Sequence, residues 1–303
     1  MRRRLASLLA AAILTVPLLF VFCASPASAT STANVPVSLP LSTSGSEQDA
    51  RVAVSPSGLI SVVWADQQAT QSRIFYSHSS DGVTFTDRKW VDTAPGATLA
   101  LNPDIAVNAN GTIFVVWSDN HSSKFRAYIS WSSDNGTSFS VPKAVTLTAS
   151  GDQTRPALAI AGSMLYVVWS EMVPGKDTDI RLARSFDWGL TFGSSVRVDH
   201  TGSARAIQAW PAIDARGKDV IVAWHDNRTA DALNIYASVS HNSGATFGPD
   251  VKVSDGPVNL GQTRPDVAYL PSGQPVVVWQ DGRNGSAALE VRLATSTDGG
   301  VSF

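Results

Sequence analysis

Ser132-Ser133-Asp134-Asn135-Gly136-Thr137-Ser138-Phe139 and Ser185-Phe186-Asp187-Trp188-Gly189-Leu190-Thr191-Phe192 are two copies of one short sentence, and Ser296-Thr297-Asp298-Gly299-Gly300-Val301-Ser302-Phe303 is a third. Two looser copies complete the set. Ser79-Ser80-Asp81-Gly82-Val83-Thr84-Phe85 is one residue shorter, and Ser240-His241-Asn242-Ser243-Gly244-Ala245-Thr246-Phe247 has Asn in place of Asp. The closing Phe falls at 85, 139, 192, 247 and 303, a period of 53 to 56 residues. A fixed period of that size marks a stacked or radial repeat fold.

Working outward from the motif, each repeat has the same parts. A short apolar strand comes first: Val52–Val54, Ile105–Val107, Leu158–Ile160, Ile213–Ala215 and Val267–Tyr269. A tight turn follows, with Gly58, Gly111, Gly217 or Gly273 in four of the repeats. The second strand is nearly all β-branched and ends in Trp64, Trp117, Trp169, Trp224 or Trp279, a run that suits a strand buried on both faces. A polar loop leads to a third strand (73–77, 126–130, 179–183, 234–238 and 290–294), then the Asp turn, then a fourth strand such as 143–147, 196–199 or 251–254. Four antiparallel strands per repeat, with no helical periodicity, predict an all-β chain. The expected fold is a β-propeller of about five four-stranded blades. A two-sheet sandwich is the runner-up, but it gives no reason for the same Trp and the same turns to recur.

The last repeat stops before its fourth strand. Asn34-Val35-Pro36-Val37-Ser38-Leu39 resembles Asp250-Val251-Lys252-Val253-Ser254, which is a fourth strand. The expectation is that this N-terminal strand completes the last blade and hides both open edges. Membership in a larger, six-bladed ring is the alternative.

Residues 1–29 read as a secretory leader: Arg2, Arg3 and Arg4, an apolar run over 8–21, and Ala27-Ser28-Ala29. The expected domain is therefore 30–303, secreted, with no membrane span once the leader is removed. Cys23, the sole cysteine, lies in the leader, so no internal disulfide is expected. The leader carries three of the 23 basic residues; the remaining 20 face 25 acidic ones, a net charge of −5 that argues against nucleic acid as a partner. His78, His121, His200, His225 and His241 show no metal-ligand spacing, so neither metal nor cofactor is expected.

The repeated Ser-x-Asp-x-Gly-x-Thr-Phe turn resembles the Asp-box, or bacterial neuraminidase repeat, of sialidases and related secreted propellers. The resemblance covers residues 48 to 303. In the turn itself, Asp81, Asp134, Asp187, Asn242 and Asp298 are expected to accept backbone N–H bonds, Gly to supply an unusual φ, and Phe to plug the gap between sheets.

The box and the Gly turn share one face of a propeller, so ligand-facing residues belong to the other face. That face collects the entry to the first strand, at Asp49, Asn102, Arg155, Trp210 and Arg264, and the loop after the second, at Asp66, Asp119, Glu171, Asp226 and Asp281 with Arg228 and Arg283. The residues that break the repeat carry most information. Arg155 and Arg264 suit a carboxylate ligand and Trp210 suits a sugar ring. Glu171, Asp226, Arg228, Asp281 and Arg283 complete the expected ligand-binding set. The resemblance implies that Arg155, in Thr154-Arg155-Pro156, is one of the arginines that hold sialic acid, and that Asp177 is a general acid. It also implies a Tyr nucleophile activated by a Glu, which no residue of this chain matches. The expected function is a glycan or cell-surface ligand held at the axial mouth without catalysis; the alternative is an exo-α-sialidase, a retaining glycoside hydrolase.

Overall fold

The computed structural model describes residues 39, 45–68, 71–93, 99–146, 151–172, 175–201, 206–229, 233–255, 261–285 and 288–303. The leader and most of the segment 34–39 lie outside them. The described chain is all-β, with nineteen strands in five antiparallel sheets. Sheet one holds β1 (Ser46–Val54), β2 (Ile60–Gln67), β3 (Ser72–Ser79) and β4 (Lys89–Trp90). Sheet two holds β5 (Ala100–Val107), β6 (Ile113–Asp119), β7 (Arg126–Ser132) and β8 (Lys143–Ala144). Sheet three holds β9 (Asp152–Ala161), β10 (Met164–Met172), β11 (Thr178–Ser185) and β12 (Val196–Arg197). Sheet four holds β13 (Gln208–Arg216), β14 (Asp219–Asp226), β15 (Asn234–Ser240) and β16 (Val251–Lys252). Sheet five has three strands, β17 (Gln262–Tyr269), β18 (Pro275–Asp281) and β19 (Glu290–Thr295). Strand order follows the chain in every sheet, as in a propeller blade.

The core lies between sheets, in four clusters that each join one sheet to the next. Val63 and Tyr76 meet Ile105 and Trp117; Phe114 and Ile129 meet Leu158 and Trp169. Tyr166 and Leu182 meet Trp224, and Ile221 and Val239 meet Val267 and Trp279. Trp117, Trp169, Trp224 and Trp279, the second-strand tryptophans of sheets two to five, thus each pack on the preceding sheet. Burying a side chain of that size contributes roughly 3 kcal/mol. In sheets two to four the second strand is buried on both faces, or nearly so, whereas β18 alternates.

The Asp turns have a common hydrogen-bond pattern. Asp134 Oδ1 accepts from Ser138 N (2.9 Å) and from Ser132 Oγ (2.7 Å), and Ser138 Oγ donates to Asp134 Oδ2 (2.6 Å). Asp187 and Asp298 repeat these bonds with Thr191 and Ser302, and Asp81 accepts from Val83 and Thr84 N. Asn242 keeps the backbone bond, from Thr246 N at 3.0 Å, but donates to the Thr246 hydroxyl instead of accepting from it. The opening Ser is equally busy, because Ser132 Oγ also accepts from Gly136 N at 2.8 Å. Phe139, Phe192, Phe247 and Phe303 join the four intersheet clusters. Gly136 has a second duty: a Cβ there would meet the Tyr76 ring of sheet one at 2.1 Å.

Two details differ from the sequence reading. The fourth strands are shorter, at two residues each, because a side chain takes over the ladder. In sheet three Val198 N still donates to Ile180 O, but Ile180 N donates to the Asp199 carboxylate. The first strands are longer, since Asp49, Asn102, Arg155, Trp210 and Arg264 lie inside them rather than at their entry.

Candidate functional site

In every sheet the pairing of first and second strands slips by one residue, as between Leu101 and Asp104 or between Thr263 and Asp266. The residue in that bulge is left-handed in all five: Asp49 (φ 52°), Asn102 (52°), Arg155 (53°), Trp210 (56°) and Arg264 (53°). A left-handed φ costs a residue with a Cβ about 1–2 kcal/mol. A bulge bends its strand and re-aims one side chain. Here all five side chains are re-aimed to one place, the wall of a cavity of about 510 Å³ to which each sheet contributes its first strand.

The cavity is polarised. Sheets three to five supply Arg155, Trp210 and Arg264, and the two guanidinium carbons lie 3.5 Å (Arg155) and 4.7 Å (Arg264) from the centre of the Trp210 ring. Neither arginine makes a hydrogen bond or ion pair with another described residue. Burial lowers the Arg155 pKa from its ordinary value, Asp49 opposes the shift, and Arg264 adds to it. Sheets one and two supply Asp49, which accepts from Asn102 Nδ2 at 2.7 Å.

Two residues further along the strands a second tier lines the same cavity with Arg51, Asp104 and Asp266. Arg51 Nε lies 3.9 Å from the Asp104 carboxylate, whose other oxygen accepts from Leu158 N at 2.9 Å. Burial pushes Asp104 up to about 6, against the Leu158 N–H and Arg51 and with help from Asp266. Buried His225 stands behind Trp210, their ring centres 6.4 Å apart. Burial first, then Arg155 and Arg264, push His225 down to about 4, against Asp226, so it is neutral at pH 7.

Of the residues expected at the mouth, the structure brings Arg155, Trp210 and Arg264 together. It places Glu171, Asp226, Arg228, Asp281 and Arg283 elsewhere, a correction to the ring of loop charges expected from sequence. Asp226 Oδ2 and Asp281 Oδ2 accept from the indole N–H of Trp224 (3.1 Å) and Trp279 (3.0 Å), and Glu171 Oε2 does so from Trp169 at 3.3 Å. Arg228 closes on Asp226 and, at 2.7 Å, on Asp250; Arg283 closes on Asp281 (2.8 Å) and Asp255 (2.7 Å). These groups satisfy one another. Asp177 is also outside the cavity, in a cluster in which Arg197 lies 3.3 Å from Asp177, 2.9 Å from Asp179 and 2.8 Å from Asp199. Asp104, Asp266 and Arg51 were missed by the sequence reading. Their signal was a charge two residues past the symmetry-breaking position. No group of described residues has the make-up of a metal site.

No protein-family model matches the chain, and no curated protein sequence does. Solved structures do match in fold. A protein of unknown function from Dyadobacter fermentans shares 16% identity, covering 88% of this chain and 84% of that one, with a TM-score of 0.68. The GH93 α-L-arabinofuranosidase of Fusarium graminearum, solved with arabinobiose, shares 14% identity over 83% of both chains, with a TM-score of 0.61. A Hadza microbial sialidase shares 16% identity, covering 84% of this chain and 57% of that one, with a TM-score of 0.59. The chain therefore has the sialidase-like propeller fold, which it shares with glycoside hydrolases.

Proposed function

We propose that this chain is a secreted glycan-binding propeller whose axial cavity takes an acidic sugar of a cell-surface glycan, its carboxylate held between Arg155 and Arg264 and its ring against Trp210. One observation carries the reading: two guanidiniums without anionic partners converge on one indole at the cavity wall. A guanidinium planted on an aromatic face with no carboxylate bonded to it keeps its N–H donors free for an anion, so half-buried Arg155 and its exposed neighbour Arg264 are an anion site in waiting. The bulges hold the side chains in place before the ligand arrives, which lowers the ordering cost of binding.

A hydrolytic version, the exo-α-sialidase, draws support from Asp104, whose raised pKa suits a proton donor near neutral pH. Neither a Tyr nor a Glu is among the described residues that line the cavity, so binding is the function stated here. A panel of immobilised glycans tests the reading. Sialylated and uronate-bearing glycans should retain the protein, and neutral arabinan oligomers should not. Retention on neutral glycans alone would overturn it. Release of a fluorogenic sialoside above background would instead establish the hydrolase.

A further inference from the structure

The cavity wall carries six charged side chains, and their signs balance: Arg51, Arg155 and Arg264 against Asp49, Asp104 and Asp266. Their arrangement is uneven. At the level of the bulges, sheets three and five supply Arg155 and Arg264, with Trp210 of sheet four between them, and sheets one and two supply Asp49 and Asn102. Two residues on, about 7 Å along the strands, Asp104 and Asp266 stand with Arg51, while sheets three and four contribute only Ala157 and Ala212, which leave room.

The three carboxylates differ in what already holds them. Asp104 accepts from Leu158 N at 2.9 Å and has Arg51 at 3.9 Å. Asp266 accepts from its own neighbour, Val267 N, at 2.9 Å. Asp49 Oδ2 accepts from Asn102 Nδ2 at 2.7 Å, and its Oδ1 has no hydrogen-bond or ion-pair partner among the described residues. Asp49 is nevertheless near enough to Arg155 to work against the fall in that group's pKa. A free acceptor and a free guanidinium therefore share one cavity without touching.

A ligand whose only charge is a carboxylate answers half of this wall. It meets the arginines, but it adds a negative charge to a lining that is already neutral, and it leaves Asp49 without a cation. A hydroxyl would give Asp49 a hydrogen bond and no charge. An ammonium gives both, and a charge-assisted bond is roughly twice as strong as a neutral one. The desolvation of a half-buried carboxylate is offset best by a charge of opposite sign.

We propose that Asp49 sets the specificity of the cavity: the bound sugar is zwitterionic, an acidic sugar with a free amine, its ammonium on Asp49 and its carboxylate on Arg155 and Arg264. This rests on the anion site inferred above and adds the second charge. Such a ligand brings no net charge to a wall that has none.

Asp49→Asn is the informative substitution. Asn102 holds the same place in sheet two at the same φ of 52°, so the backbone accommodates asparagine there, and an amide oxygen at position 49 can still accept from Asn102. Calorimetric titration of three methyl glycosides into the full chain makes the test: neuraminic acid (carboxylate and amine), N-acetylneuraminic acid (carboxylate alone) and glucosamine (amine alone). The unsubstituted protein should bind the first about tenfold more tightly than the second and hardly bind the third. Asp49→Asn should weaken the first about tenfold and leave the second nearly unchanged, with thermal melts showing that the fold persists. Equal affinity for the two acids, or an amine preference that survives Asp49→Asn, would overturn the proposal and leave the anion site standing. Glucosamine binding as tight as that of neuraminic acid, or no binding of either acid, would overturn the anion site and this proposal with it.

Discussion

The guanidinium carbon of Arg155 sits 3.5 Å from the centre of the Trp210 ring, on the neighbouring sheet, and both residues hold left-handed backbone conformations to do so. The contact joins two exceptions to the repeat. It places a cation on an aromatic face inside a cavity, a geometry worth about 2 kcal/mol once water is removed. Arg264 approaches the same ring, so the indole is the shared platform of both cations.

Trp210→Ala should therefore weaken acidic-sugar binding by about tenfold or more, since both guanidiniums lose their support. Trp210→Phe should recover most of the affinity. Calorimetric titration of the two variants, with thermal melts to show that the fold persists, gives the comparison.

Asp226→Ala should behave in the opposite way. It leaves the buried Trp224 indole N–H unpaired and Arg228 with Asp250 alone, and should cost about 3 kcal/mol of stability. Ligand affinity of the folded fraction should not change, because Asp226 does not line the cavity. Urea denaturation alongside binding separates the two effects.

Gly136→Ala should cost more than Gly58→Ala. Both positions have positive φ, 81° at Gly136 and 86° at Gly58, so an alanine at either carries backbone strain of about 1 kcal/mol. Only at Gly136 does the new methyl collide with Tyr76, which adds roughly 1–3 kcal/mol of overpacking. Denaturant midpoints for the two single variants check the difference.

His225 predicts an acid limb of stability. Its folded pKa of about 4 lies below the ordinary histidine value of 6.5, so the unfolded chain binds the proton more readily. Its contribution is intact above pH 6.5 and is lost as pH falls toward 4, a change on the order of 3 kcal/mol. His225→Asn should flatten that part of a melting-temperature profile.

Asp104 predicts a pH dependence of binding. Its carboxyl is pushed up to about 6, so acidification through that value removes a negative charge from the cavity. Affinity for an acidic sugar should rise severalfold between pH 7 and 5, and Asp104→Asn should abolish the rise. The stability sign is the reverse of His225: the Asp104 contribution is present below pH 3.8 and is lost as pH rises through 6.

Most of the fold was legible because it is written five times. The Trp of each second strand, the Asp turn and the closing Phe each recur at a fixed place, and the sheets follow them. The site was legible only where it breaks the pattern. Arg155, Trp210 and Arg264 stood out as exceptions, but the bulge that aims them did not, because Pro156, Pro211 and Pro265 read as the start of a strand rather than its middle. Asp104 and Asp266 were hidden by their neighbours, since Ala157 and Ala212 hold the same position in sheets three and four. The loop carboxylates misled for the opposite reason. Asp226 and Asp281 look like a ring of charge in sequence, and only the folded chain shows an indole N–H two residues back that consumes them.

The central claim is that Arg155 and Arg264 form an anion site on Trp210. Calorimetric titration of sialic acid into the unsubstituted chain, Arg155→Ala and Arg264→Ala tests it most directly. The account predicts saturable one-to-one binding that each substitution weakens at least tenfold. Binding of equal strength in all three proteins, or no binding of any acidic sugar by the unsubstituted chain, would contradict it.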